Sequence, residues 1–147
     1  MLKKITFTDF KSFVQAKLTL EEISVLIGSN ASGKTNMIEG IRILSEIVTG
    51  RDISSILDGS KNVDSGIRGG SRGCVRFEAQ DFTLGCEISL KDEVYYYEIS
   101  IQVYPHIYVK SEGMYRGIDK HGILIFETKD SDKNSADIWV TYNNAKR

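Results

Sequence analysis

Apolar and polar positions alternate along the first twenty residues and again beyond position 74, with a slower rhythm between. In "KKITFTDF" Ile5 and Phe7 fall on one side and Lys4, Thr6 and Thr8 on the other, the period-two signature of a half-buried strand. "FKSF" (Phe10 to Phe13) reads as a turn, and "QAKLTL" alternates again with Ala16, Leu18 and Leu20 on one face, so the two segments predict a hairpin. "ISVLI" (Ile23 to Ile27) is apolar except for Ser24, the pattern of a central strand covered on both faces. Met37, Ile41, Leu44 and Val48 then recur at helical spacing, and Gly50 supplies a stop.

Residues 51–73 are rich in Gly, Ser and Asp and predict a long loop with one short helical turn at Ile53 to Leu57. From Cys74 onward the strand period returns. "CVRFEA" puts Val75, Phe77 and Ala79 on one face. "FTLGCEISL" does so with Phe82, Leu84, Cys86, Ile88 and Leu90, and "YYYEISIQV" with Tyr95, Tyr97, Ile99, Ile101 and Val103. "IYVKS", "ILIFE" and "DIWVTY" are further strands. Turns are expected at Lys91 to Glu93, Tyr104 to His106, Asp119 to Gly122 and Asp130 to Asn134. This half reads as an antiparallel meander. Matching apolar faces pairs Ala79 with Phe82, Phe77 with Leu84 and Val75 with Cys86, which turns Cys74 away from Cys86 and disfavours a disulfide. The meander tyrosines Tyr95 to Tyr97, Tyr104 and Tyr108 are expected to alternate between core and surface.

Bulk properties narrow the field little. The chain has 147 residues, 41% hydrophobic and 27% charged, with net charge −1, so no overall basic field draws it to DNA or to a membrane surface. No run approaches the roughly 18 apolar residues of a membrane span, and "MLKKITFTDF" lacks the apolar core of a secretory signal. A cytoplasmic location with reduced cysteines is expected.

The chemistry concentrates in "GSNASGKTN". Gly28-x4-Gly33-Lys34-Thr35 fits G-x-x-x-x-G-K-[ST]. An apolar strand delivers the chain to a tight bend, glycines permit backbone angles other residues resist, and successive N–H groups form an anion nest at a helix N-terminus. The expected phosphate contacts are Gly28, Ser29, Asn30, Ala31, Ser32, Gly33, Lys34, Thr35 and Asn36. Lys34, the expected catalytic residue, brings a full charge to the β and γ phosphates, and the Thr35 hydroxyl is suited to ligate Mg²⁺. The expected cofactors are ATP and Mg²⁺. No Asp closes a second buried strand. Glu127 after "ILIF" reads as a strand or turn residue, and Asp119-x-x-Gly122 as a turn without the N-K-x-D of a GTPase.

"ITFTDFKSF" followed by "LTLEEISVLIGSNASGKTNMIEGIRIL" resembles the N-terminus of ATP-binding-cassette heads of the SMC and RecF group, including the ATPases related to OLD nucleases. The resemblance is specific over the first 45 residues and weaker beyond, where "YYYEISIQVYPHIYVKSEGMYRGIDKHGILIFE" is similar to the group's β-rich subdomain. It implies an α/β (α+β) fold, a P-loop NTPase lobe with a strand–loop–helix unit at 1-50, a loop at 51-73 and an antiparallel β subdomain at 74-147. It also implies that Lys11 and Ser12, in the F-K-S-F turn, lie beside the nucleotide, and that Arg68 and Arg72 sense nucleotide or touch DNA. Ala31 stands where many members have Gly. The implied partners are a C-terminal lobe of the same protein, a second head in a homodimer, and DNA or a nuclease domain, with no membrane. The group's glutamine loop, signature serine, Asp–Glu pair and switch histidine find no match. Gln80 falls in a predicted turn, Gln102 within a strand, "RGGS" on the wrong side, and His106 and His121 in turns. An N-terminal lobe of a longer ATPase, binding ATP but hydrolysing little alone, is therefore the leading expectation. A small nucleotide-binding regulator or scaffold without turnover, and a GTPase or small kinase, stay open.

Overall fold

The computed structural model describes residues 1–59, 66–130 and 138–143. Nine elements follow in chain order: β1 (Leu2–Phe10), β2 (Phe13–Thr19), α1 (Lys34–Val48), α2 (Ile53–Asp58), β3 (Asp81–Leu90), β4 (Glu93–Gln102), β5 (Tyr108–Arg116), β6 (Ile123–Asp130) and β7 (Ile138–Tyr142). The strands form one antiparallel sheet in the order β2-β1-β3-β4-β5-β6-β7. β1 and β2 make the expected hairpin, with Phe10 opposite Phe13 and Ile5 opposite Leu18. β3 to β7 make the expected meander. The two halves are joined because β1 also pairs with β3, Ile5 opposite Cys86 and Phe7 opposite Leu84.

Period-two alternation gives the sheet one apolar face, and the helices cover it. Ile5, Phe7 and Phe10 from β1, Phe82, Leu84 and Cys86 from β3, and Ile99 and Ile101 from β4 pack with Ile43 and Leu44 of α1 and Ile56 and Leu57 of α2. Each such side chain contributes about 1.5–3 kcal/mol on leaving water. α1 approaches the sheet closely at Gly40, where an added Cβ would stand 2.5 Å from Phe7 Cε1. Phe7, Phe10 and Phe13 form a continuous aromatic layer beneath it, with centroid spacings of 5.9 and 5.5 Å. α1 ends as expected, with Gly50 at φ 76° just past the last turn. α2 is capped by Asp52, whose carboxylate accepts from Ser55 N at 2.9 Å.

The structure departs from the sequence pattern in four places. "ISVLI" opens on a bend at Ile23 and forms no strand, and Ile23, Val25 and Ile27 are 86%, 74% and 89% exposed. A central strand needs neighbours on both edges to take its hydrogen bonds, and among the described residues none lies beside this segment. "CVRFEA" makes one bridge, Val75 to Phe10, and then turns at Arg76 to Ala79 with Glu78 at φ 70°, leaving Phe77 exposed. Both edges of β3 are taken by β1 and β4, so the proposed pairings of Val75, Phe77 and Ala79 with β3 do not form. Val48 is exposed; the buried stripe of α1 runs instead through Gly40, Ile43 and Leu44, flanked by Met37, Ile41 and Ile47. Leu90, at the end of β3, is also exposed. The expected turn at Asp130 to Asn134 lies largely outside the described residues.

Candidate functional site

The segment Gly28 to Asn36 turns from the strandless stretch before it into α1. Ala31 and Gly33 adopt left-handed backbone at φ 64° and 92°. At Gly33 glycine answers two demands, since a Cβ there would also stand 2.8 Å from the Phe13 ring. The hairpin turn thus packs directly against the loop. Of the main-chain N–H groups from Ser29 to Asn36, only that of Ser32 donates to a protein oxygen, Ser29 O at 3.3 Å, among the described residues. α1 has no side-chain cap, and its first internal bond is Met37 N to Gly33 O at 3.0 Å. Its first-turn amides are therefore free donors at the positive end of the helix dipole.

Lys34 lies inside this bend. Its Nζ donates to Gly28 O and Ser29 O, both at 2.7 Å, and to Ser32 Oγ at 3.3 Å. The charge is held by the loop's own oxygens. Thr35 is exposed in the first turn. Asn36 links two other elements: its Nδ2 donates to Ser12 Oγ at 2.9 Å, and its Oδ1 accepts from Arg68 Nη2 at 3.1 Å. The structure therefore brings Ser12 and Arg68 to the loop. Lys11 takes a different place. Its side chain is only 7% exposed, its Nζ donates to Arg68 O at 2.8 Å and stands 3.0 Å from Glu39 Oε2. Arg72 is exposed and makes no hydrogen bond or ion pair among the described residues.

The segment 66–76 is fastened to the hairpin by main-chain bonds: Lys11 N to Cys74 O at 2.9 Å and Arg76 N to Asp9 O at 2.8 Å. Arg76 Nε also donates to Asp9 Oδ1 at 2.9 Å, and Asp58 Oδ1 accepts from Ser71 N at 2.6 Å. The sequence reading missed Glu39 and Asp58, which organise this region. On the helical stripe read from the sequence Glu39 falls opposite the core, so the pattern gave no signal for it. Cys74 and Cys86 are free and buried; burial pushes their thiols up to about 12 and about 11, despite the pull of Lys11 on Cys74, so both are inert packing residues.

The residues tested for the other ATPase roles have structural employment. Gln102 donates to Tyr104 O and accepts from Tyr108 OH, each at 2.8 Å, bracing the β4–β5 connection. Glu127 sits in β6 and accepts from Tyr115 OH at 3.2 Å. Asp119 Oδ1 accepts from His121 N at 2.9 Å, an Asx-turn, and both histidines are exposed. Among the described residues no group of three or more His, Cys, Asp or Glu could hold a metal, and no helix is long and apolar enough to cross a membrane. A concavity of about 460 Å³ lies on the sheet's other face, lined by Thr6, Thr8, Gln15, Lys17, Tyr96 and Glu98, and no residue of the Lys34 loop borders it.

Comparison with known proteins points one way. The chain has stretches similar to DNA replication and repair proteins named RecF. It is 45% identical over 51 residues to RecF of Arthrobacter sp. (strain FB24), covering 34% of this chain and 13% of that protein. It is 43% identical over 51 residues to RecF of Renibacterium salmoninarum, with the same coverage. RecF of Synechocystis sp. is 31% identical over 65 residues, 42% of this chain and 17% of that protein. The matched stretches thus span less than a fifth of each relative's length. No family model matches the chain.

Proposed function

We propose that the chain is an ATP-binding lobe of the SMC and RecF type of ATPase, acting in DNA replication or repair. The observation that carries this reading is the bend from Ser29 to Asn36, whose amides stay undonated apart from Ser32 and which wraps the Lys34 ammonium at the start of α1. A polyphosphate suits that arrangement: the amides and the helix end take its oxygens, and Lys34 exchanges carbonyl contacts for stronger contacts to anionic oxygen. Gly28 to Asn36 are assigned to the phosphates, Lys34 to the charge on the terminal phosphate, and Thr35 to Mg²⁺. When bound, Mg²⁺ supplies charge neutralisation between phosphates. Ser12 and Arg68, joined to the loop through Asn36, are assigned to the rim of the nucleotide site.

The stretches shared with RecF proteins support the process, and the exposed row of Ile23, Val25 and Ile27 supports a partner. That partner is a further lobe of the same protein, placing a strand beside the row and bringing the water-activating groups that this sequence does not supply. A second head would complete a pair of sandwiched ATP–Mg²⁺ sites acting on DNA or a nuclease. The chain alone is expected to bind ATP–Mg²⁺ and turn it over little. Isothermal titration of ATP–Mg²⁺ into wild type and Lys34→Ala tests the reading. At least a tenfold loss in the variant, roughly 1.4 kcal/mol, is expected; equal affinities refute it.

A further inference from the structure

We propose that Glu39 is a positioning residue for nucleotide binding: its carboxylate holds Lys11 firmly and Arg68 loosely, and so parks the Arg68 guanidinium beside Asn36 at the rim of the phosphate loop. Glu39 lies in the second turn of α1, facing the hairpin turn on one side and the segment 66–73 on the other. Its Oε2 is buried and stands 3.0 Å from Lys11 Nζ without a directed hydrogen bond, while its Oε1 stands 3.9 Å from Arg68 Nε. The two cations are unequal. Lys11 is buried, whereas the Arg68 side chain is 69% exposed. A buried ion pair is costly to break, and a long, solvated one orients its partner for at most about 1 kcal/mol.

The same contacts separate main chain from side chain at Arg68. Lys11 Nζ donates to Arg68 O at 2.8 Å and so fixes the backbone. Among the described residues the guanidinium is held by Asn36 Oδ1 at 3.1 Å and by the distant carboxylate. A polyphosphate in the loop offers Arg68 a denser negative charge a short swing away. The Nη groups turn from Asn36 to that charge while Nε stays on the Glu39 side, so the carboxylate orients the guanidinium in the free and the bound state alike. Lys11 balances the Glu39 charge throughout.

This inference rests on the ATP-binding reading. Its test is a double-mutant cycle on ATP–Mg²⁺ affinity with Glu39→Gln, Arg68→Gln and the pair, each checked for folding by circular dichroism. Glu39→Gln is expected to weaken binding about threefold in the wild-type background and less than about 1.5-fold when Arg68 is already Gln. A purely structural role would give the same loss in both backgrounds, and that result overturns the proposal, as does an unchanged affinity for Glu39→Gln. Should Glu39→Gln fail to fold, Glu39→Asp replaces it. Its carboxylate keeps a negative charge for Lys11 but reaches less far toward Arg68, so the same non-additivity is expected and additive losses overturn the idea. A wild type that does not bind ATP–Mg²⁺ defeats the parent reading and this one together; a wild type that binds, beside an indifferent Glu39 variant, defeats this one alone.

Discussion

Ala31 sits at φ 64°, in backbone that costs a residue with a Cβ about 1–2 kcal/mol. Glycine would remove that strain but give back about 0.4–1 kcal/mol by loosening the unfolded chain. Ala31→Gly should therefore raise the melting temperature by about 2–4 °C in a chain of this size. Ala31→Val, β-branched at the same angle, should lower it. A lower melting temperature for the Gly variant would mean that residue 31 is not held in the left-handed region. The resemblance to the SMC and RecF group marked this position as one where Gly is expected, but could not say that Ala31 is held in left-handed backbone. Lys11 illustrates the opposite case. Its place in the F-K-S-F turn was legible; that its ammonium faces Glu39 and Arg68 O depends on two segments far away in sequence meeting at the turn.

At the level of elements, α1 owes its seat on the sheet to Gly40. Exchanging it for Ala gains about 0.8–1 kcal/mol of helix propensity. The new methyl would, however, come within 2.5 Å of the buried Phe7 ring, and overpacking of that kind costs about 1–3 kcal/mol. Gly40→Ala should thus be net destabilising by about 1 kcal/mol in urea denaturation, and the loss should shrink when Phe7 is changed to Leu. Equal losses in both backgrounds would show that the helix does not rest on that ring. Elements whose apolar residues keep one period were read correctly: the β1–β2 hairpin, α1, the short α2, and β3 to β5. Where the reading failed, period alone could not decide. "CVRFEA" alternates as well as any strand, yet β3 has no edge left for it once β1 has paired, and β1 comes from the far end of the sequence. The stripe of α1 was displaced toward Gly40 and Ile43 because a helix facing a twisted sheet buries what the aromatic layer admits, and Val48 overhangs it.

At the scale of the whole molecule, one sheet joins both halves, and one apolar row stays outside it. Ile23, Val25 and Ile27 face solvent on a segment outside any strand that leads directly into the Gly28–Asn36 loop. The sequence reading made this segment a central strand covered on both faces; it forms no strand, and among the described residues nothing covers these side chains. A row of exposed β-branched side chains with unpaired main chain is a template for adding another strand. Two consequences can be separated by one variant, Ile23→Thr/Val25→Thr/Ile27→Thr. Because the three side chains already face water, each exchange should change the stability of this chain by at most about 0.5 kcal/mol. Self-association through the row should fall, so light scattering at high concentration should drop while the melting curve barely moves. Threonine keeps the β preference, so the loop's approach path and ATP–Mg²⁺ affinity should also be retained. A loss of several kcal/mol would instead place the row inside the chain's own core. Unchanged scattering with unchanged stability would mean that the row recruits nothing, against the proposal of a partner lobe at this row.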